Sequence, residues 1–243
     1  MPRRPPQRPL PRAYRSAATV VRSAVRLATR HDWRGAENLP ASGGFVVVQN
    51  HVSHVDPLTL AHFLYDNGHP PYFLAKESLF RIPLVGQWIV ATGQIPVERH
   101  STRAADAARA GARAVREGKA VVVFPEGTLT RDPDLWPMTG RTGAARIALE
   151  TRCPVIPVAQ WGAQEMLAPY SRRLRLVPRT LVHVWAGAPV DLSEMYARPL
   201  DAATLLDATA RILAAVTAVL EQLRGQPAPA ERYDPRLHPG DAA

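Results

Sequence analysis

Two short apolar runs constrain the fold more than anything else in the chain: Phe45–Gln49 (FVVVQ) and Ala120–Phe124 (AVVVF). Both are short, unbroken and rich in β-branched valine, so they read as strands buried on both faces rather than as one side of a helix. Strands of that kind belong to sheets covered by helices on two sides, and such sheets are largely parallel. The intervening segments agree. Tyr72–Ala75, Gln94–Val97, Val155–Ala159 and Leu181–Ala186 read as further strands. Pro57–Tyr65, Ser101–Glu117, Thr142–Thr151 and Asp201–Arg224 carry helical patterns. Pro57 suits a first helical turn, Ser101 an N-cap and Gly118 a helix stop. The alternation predicts an α/β fold with a mixed, largely parallel sheet flanked by helices.

The ends of the chain differ in character. Residues 1–11 are Pro- and Arg-rich and are expected to be a disordered basic start. Residues 12–32 follow as an amphipathic helix, with its pattern strongest from Ala13 to Arg30. At about 100° per residue, Arg15, Arg22, Arg26 and Arg30 share one arc, and Ala17, Val20, Val21, Ala24, Leu27 and Ala28 lie roughly opposite. A helix like this lies in a membrane interface or packs on its domain with the arginines in water. The main domain is expected over 33–224, and the Pro/Ala-rich residues 225–243 as a flexible tail.

Composition narrows the class of partner. A hydrophobic content of 46% supplies a core and argues against a wholly disordered chain. The net charge of +9 favours anionic surfaces and phosphate-bearing ligands. No basic stripe is interleaved with aromatic residues, so nucleic acid is not an expected partner. No run reaches about 18 apolar residues; the stretch from Ile82 to Val97 is broken by Pro83, Gly86, Gly93 and Pro96. Nor does the basic start lead into the apolar stretch of a secretory leader. The lone Cys153 reads as a small buried hydrophobe in a reducing compartment. Together these place the protein peripherally on the cytoplasmic face of the cell membrane, against anionic lipid.

Polar clusters follow both apolar runs, where open α/β sheets gather their active groups. The first is Asn50-His51-Val52-Ser53-His54-Val55-Asp56-Pro57. On a continuous helix, His51 and Asp56 would diverge. They converge if His51 lies in the turn after the strand and Asp56 opens the next helix. Asp56 would then fix one ring nitrogen and leave the other free as a base. Alternatively Asp56 is only a helix cap, or His51, His54 and Asp56 are ligands of a metal-dependent hydrolase, although no second Cys or His cluster completes such a site. The second cluster is Pro125-Glu126-Gly127-Thr128, where Gly127 allows a tight turn whose amides suit an anion. Arg99, Arg131 and Arg141 lie near these segments in sequence and are of the right type to grip a phosphate.

In this order, the residues resemble the 1-acyl-sn-glycerol-3-phosphate acyltransferase family. Asn50–Asp56 is similar to its NHxSxxD block, Gly93–Arg99 to its second block, Phe124–Thr128 to FPEGT, and Val155–Ala159 to its fourth. Ala75–Pro83 also resembles the stretch before the second block, and the likeness covers roughly 33–190. The resemblance implies an O-acyltransferase with no metal and no cofactor, using acyl-CoA or acyl-carrier protein as co-substrate and a lysophospholipid as acceptor. It implies His51 as general base, Asp56 as its orienting partner, and Arg99, Glu126, Gly127 and Thr128 as contacts to the glycerol phosphate. One position departs: many members carry Arg directly after EGT, where this chain has Leu129, so either Arg131 or Arg141 is expected to stand in or the acceptor is another lysophospholipid or small hydroxylated molecule instead of 1-acyl-glycerol-3-phosphate.

Overall fold

A computed structural model describes residues 9–97 and 104–237. Seven strands form one sheet: β1 (Thr29–Arg34), β2 (Phe45–Gln49), β3 (Pro71–Lys76), β4 (Ile95–Val97), β5 (Ala120–Val123), β6 (Val155–Trp161) and β7 (Thr180–Ala186). Their order is β1-β7-β6-β2-β5-β3-β4. The five strands from β6 to β4 are parallel to one another, while β7 pairs antiparallel with β6 and parallel with β1. The sheet is therefore mixed and largely parallel, as the valine runs predict.

The helices are α1 (Arg12–Ala28), α2 (Asp56–Asp66), α3 (Val85–Ala91), α4 (Ala104–Arg116), α5 (Gly143–Thr151), the single turn α6 (Ala163–Met166) and α7 (Ala202–Arg224). Because side chains alternate along a strand, β2 and β5 feed two cores. Val46, Val48, Val121 and Val123 pack with Ala112 of α4, Ile147 of α5 and Ile212 of α7. Phe45, Val47 and Val122 pack on the other face with Leu60, Phe63 and Leu64 of α2. Every residue of β2 and β5 is buried. α7 is long and apolar enough to cross a bilayer by length and composition, yet Leu205, Ile212, Val216 and Leu220 are buried and the helix packs on β6 and α5. Cys153 is buried, and burial pushes its thiol pKa up.

Three expectations are corrected. The N-terminal helix stops at Ala28, and Thr29–Arg34 is a strand paired with β7. That partner lies 151 residues away at the Asp32–His183 pair, so no local pattern announces it. The helix packs on the domain, one of the two alternatives, but by a different face from the one expected. Tyr14 and Val25 are buried, the Tyr14 hydroxyl donates to the Pro71 carbonyl, and Arg22 turns inward to Asp66 at 2.7 Å. Val20, Ala24 and Leu27, expected on one apolar face, are exposed instead. Finally, residues 226–237 lie back against the domain instead of hanging loose, held at Thr139 by the Tyr233 carbonyl. The expected N-cap Ser101 falls outside the described residues.

Candidate active site

β2, β5 and β6 are adjacent and parallel, so their C-terminal ends open on one edge of the sheet. Beyond β2 the chain turns through residues 50–55 before Pro57 allows α2 to start. Asp56 is the first residue of α2 and is completely buried (0% exposed). Its Oδ2 accepts hydrogen bonds from His51 Nδ1 (2.9 Å) and from the Val52 and Ser53 amides (2.7 and 2.8 Å). Its Oδ1 accepts from Gln160 Nε2 at 2.7 Å. The His51 ring stacks on Phe124, with centroids 4.2 Å apart. Its side chain is 12% exposed. With Nδ1 committed to the carboxylate, Nε2 is the nitrogen left for chemistry.

Beyond β5, Gly127 takes φ of 72°, a left-handed conformation that disfavours any side chain. A Cβ there would also come within 3.0 Å of Arg141 Nε, so the guanidinium of Arg141 lies over this turn. Thr128 is half-buried in the same turn. The two loops are tied together. The Thr130 amide donates to the His51 carbonyl (2.8 Å), and the His51 amide donates to Glu126 Oε1 (3.1 Å). Glu126 Oε2 accepts from the Met138 amide at 3.1 Å.

Glu126 is therefore an internal brace between loops. Its side chain is 6% exposed, and burial pushes its pKa up to about 8, although the Met138 and His51 amides and Arg232 pull the other way. With each oxygen engaged inward, it is not arranged as a contact to a phosphate. Arg131 is half-buried and its Nε has no hydrogen-bond partner. Leu129 is buried, and its carbonyl accepts from the Tyr170 hydroxyl. His54 is exposed. Among the described residues no group of three or more His, Cys, Asp or Glu side chains is placed to hold a metal. Arg99 lies outside the described residues.

Gln160 escaped the sequence reading, which ended β6 at Ala159. Its amide donates to Asn50 Oδ1 (2.8 Å), its carbonyl accepts from Asn50 Nδ2 (3.0 Å), and its side chain orients Asp56. The available signal was a glutamine at the C-terminal end of an otherwise apolar central strand, where Asn50 stands after β2.

Fold and site together define an α/β protein with a histidine at the sheet edge, one ring nitrogen of which is pinned by a buried carboxylate, an arrangement that suits acid–base chemistry. The chain belongs to the Acyltransferase family, whose model matches residues 30–161. It is 38% identical over 125 residues to the 1-acyl-sn-glycerol-3-phosphate acyltransferase of Borreliella burgdorferi, covering 51% of this chain and 48% of that one. It is 31% identical over 152 residues to the protein of the same name from Bacillus subtilis, covering 61% and 71%. The matched stretch thus spans about half the length of the Borreliella protein. The crystal structure of PlsC, the 1-acyl-sn-glycerophosphate (LPA) acyltransferase of Thermotoga maritima, superposes with a TM-score of 0.63 at 23% identity. The likeness covers 89% of this chain and 83% of that one, and it speaks to the fold.

Proposed function

We propose that this protein transfers a fatty acyl group from acyl-CoA or acyl-carrier protein to the free hydroxyl of a lysophospholipid, with 1-acyl-glycerol-3-phosphate as acceptor and phosphatidate as product. The observation that carries the reading is the His51–Asp56 pair, with Nε2 free, tied directly to the Glu126–Thr128 turn. In the reaction, His51 Nε2 takes the proton from the acceptor hydroxyl as its oxygen attacks the thioester carbon. The Asp56 carboxylate stabilises the imidazolium that forms. Collapse of the tetrahedral intermediate breaks the carbon–sulfur bond, and the departing thiolate takes the proton back from His51. No acyl-enzyme is needed. Arg99, Arg131 and the Thr128 hydroxyl hold the acceptor phosphate in this scheme, at the turn that Gly127 permits, and the unpartnered Nε of Arg131 supports its share.

The test is a panel of acceptors assayed with one acyl-CoA. Lysophosphatidate is expected to exceed a neutral monoacylglycerol in kcat/KM by about 10²-fold, the worth of charge-assisted phosphate contacts. Equal use of both would defeat the phosphate site. Leu129, buried where many family members have Arg, favours a second reading: the same chemistry on another lysophospholipid or a small hydroxylated acceptor. That reading would show in the same panel as preference for a different head group.

Peripheral attachment to the anionic cytoplasmic leaflet belongs to the same proposal. The 3-10 turn Glu77–Arg81 and α3 leave Leu79, Ile82, Leu84, Val85, Trp88 and Val90 exposed, Leu84 at 73%. α3 packs beside α1, which exposes Val20 and Leu27 among its arginines. Apolar side chains rimmed by cations suit an anionic bilayer. Leu84→Asp with Trp88→Ala is expected to weaken sedimentation with phosphatidylglycerol vesicles by about tenfold or more, from lost apolar burial. Turnover of a short-chain soluble acceptor should stay unchanged. Undiminished vesicle binding would rule this surface out.

A further inference from the structure

Between α6 and β7, residues 172–179 (RRLRLVPR) hold four arginines and no acidic residue. All eight are exposed, Val177 at 89%, with Leu174 and Leu176 alongside it. Large apolar side chains left in water together mark a surface that something covers. The loop is held at both ends. At its start the Ser53 hydroxyl donates to the Leu167 carbonyl (2.7 Å) and the Tyr170 hydroxyl to the Leu129 carbonyl (2.9 Å), which fastens it to both polar turns of the site. Further on, the Arg175 amide donates to the Met166 carbonyl (2.8 Å). At its end Arg179 donates to the Arg26 carbonyl (2.7 Å) and to that of Thr29, where α1 stops.

Sheet topology sets this loop beside the site. β6 ends, and antiparallel β7 begins, on the edge where β2 and β5 end. β1 starts level with β7, at the Thr29–Thr180 pair, so α1 also ends there. β3 is parallel to β5 and runs into the Glu77–Arg81 turn and α3 on the same edge. In strand order the turns after β2 and β5 are central, with the α3 surface to one side and residues 172–179 to the other. α1 links the two flanks, since it packs beside α3 and its last turn holds Arg179. We propose that residues 172–179 are a second contact with an anionic bilayer, so that the sheet edge carrying His51 faces the lipid from between two contacts. Leu174, Leu176 and Val177 enter the interface, and Arg172, Arg173 and Arg175 meet lipid phosphates. Aliphatic side chains interleaved with cations match a partner that is apolar beneath an anionic layer, which a bilayer is and an acidic protein surface is not.

This contact adds to the α3 surface and rests on the same membrane reading, and the test separates the two. Val177→Cys in the full chain is labelled with an environment-sensitive fluorophore. Cys153 is buried, and parent protein treated with the same reagent is the blank. On phosphatidylglycerol vesicles the label is expected to brighten, shift to the blue and be quenched by bromine atoms on the acyl chains. On phosphatidylcholine vesicles it should change little. Arg172→Gln with Arg173→Gln, and separately Leu176→Asp with Val177→Asp, should each weaken sedimentation with phosphatidylglycerol vesicles by about tenfold or more. Both should keep the parent Tm, because all four side chains are exposed. A label that stays in water while the chain binds vesicles overturns this contact and leaves the α3 surface standing, and so does full binding by both loop variants. A parent chain that does not bind the vesicles at all ends both readings. Capture of acyl-carrier protein by the parent, lost in Arg172→Gln with Arg173→Gln while vesicle binding is kept, would make the partner of this loop a protein and overturn the proposal.

Discussion

Replacing His51 with alanine is expected to lower kcat for acyl transfer by about 10²–10⁴-fold, the usual share of a positioned general base, and to leave the fold intact. The imidazole sits at the rim of the site with one nitrogen bonded to Asp56 and one face on Phe124. Its removal deletes no core packing between sheet and helices. The loop is fixed through its backbone, by Glu126 at the His51 amide and Thr130 at its carbonyl, and alanine keeps both contacts. KM should change little, because the lost interaction is made to a proton in flight and not to the resting substrate. Single-turnover acyl transfer, with thermal unfolding of the same sample, separates the two effects. Full activity in the alanine variant would remove His51 from the mechanism.

Asp56 should split cleanly between two substitutions. Alanine strands four N–H donors in a fully buried place: His51 Nδ1, the Val52 and Ser53 amides and Gln160 Nε2. Stranded buried donors cost about 1–3 kcal/mol each. A loss of about 3 kcal/mol corresponds to a Tm lower by roughly 6–12 °C for a domain of this size. Asparagine is expected to be tolerated far better. Its carbonyl can keep the three bonds made to Oδ2, and its amino group can face Gln160 once that side chain turns its amide, since Gln160 Oε1 has no partner at present. What asparagine cannot supply is the negative charge that stabilises the His51 imidazolium. Charge-assisted hydrogen bonds are worth about 1.5–3 kcal/mol, so kcat should fall on the order of 10²-fold in a folded protein. An alanine variant that unfolds at the parent temperature would contradict the burial argument. An asparagine variant with parent kcat would show that the carboxylate orients the ring and does no more.

Legibility in the sequence followed the range of the interactions. The turn after FVVVQ could be read because strand end, turn and helix start lie within eight residues, and Pro57 marks where α2 opens. The convergence of His51 and Asp56 is a consequence of that local geometry. Glu126 was read as part of an anion turn from its place beside Gly127. Its actual contacts are to amides 75 and 12 residues away, and no spacing rule reports them. Gln160 is 110 residues from Asn50 and 104 from Asp56. It becomes visible only when β6 is known to lie against β2.

The amino-acid sequence by itself determined six of the seven described strands and most helices, the order of the two polar turns, and the chemical types gathered at them. Those features depend on burial periodicity, turn residues and capping, all of which act over a few neighbouring residues. Tertiary structure alone decided which strands are neighbours, and with that the rest of the site's support. It turned Glu126 inward as a brace, set Gln160 behind Asp56 and made Thr29–Arg34 a strand. The physical reason is the same in each case. A buried polar group must be satisfied, and the partner that satisfies it is whichever one the packed sheet brings within reach, however distant along the chain.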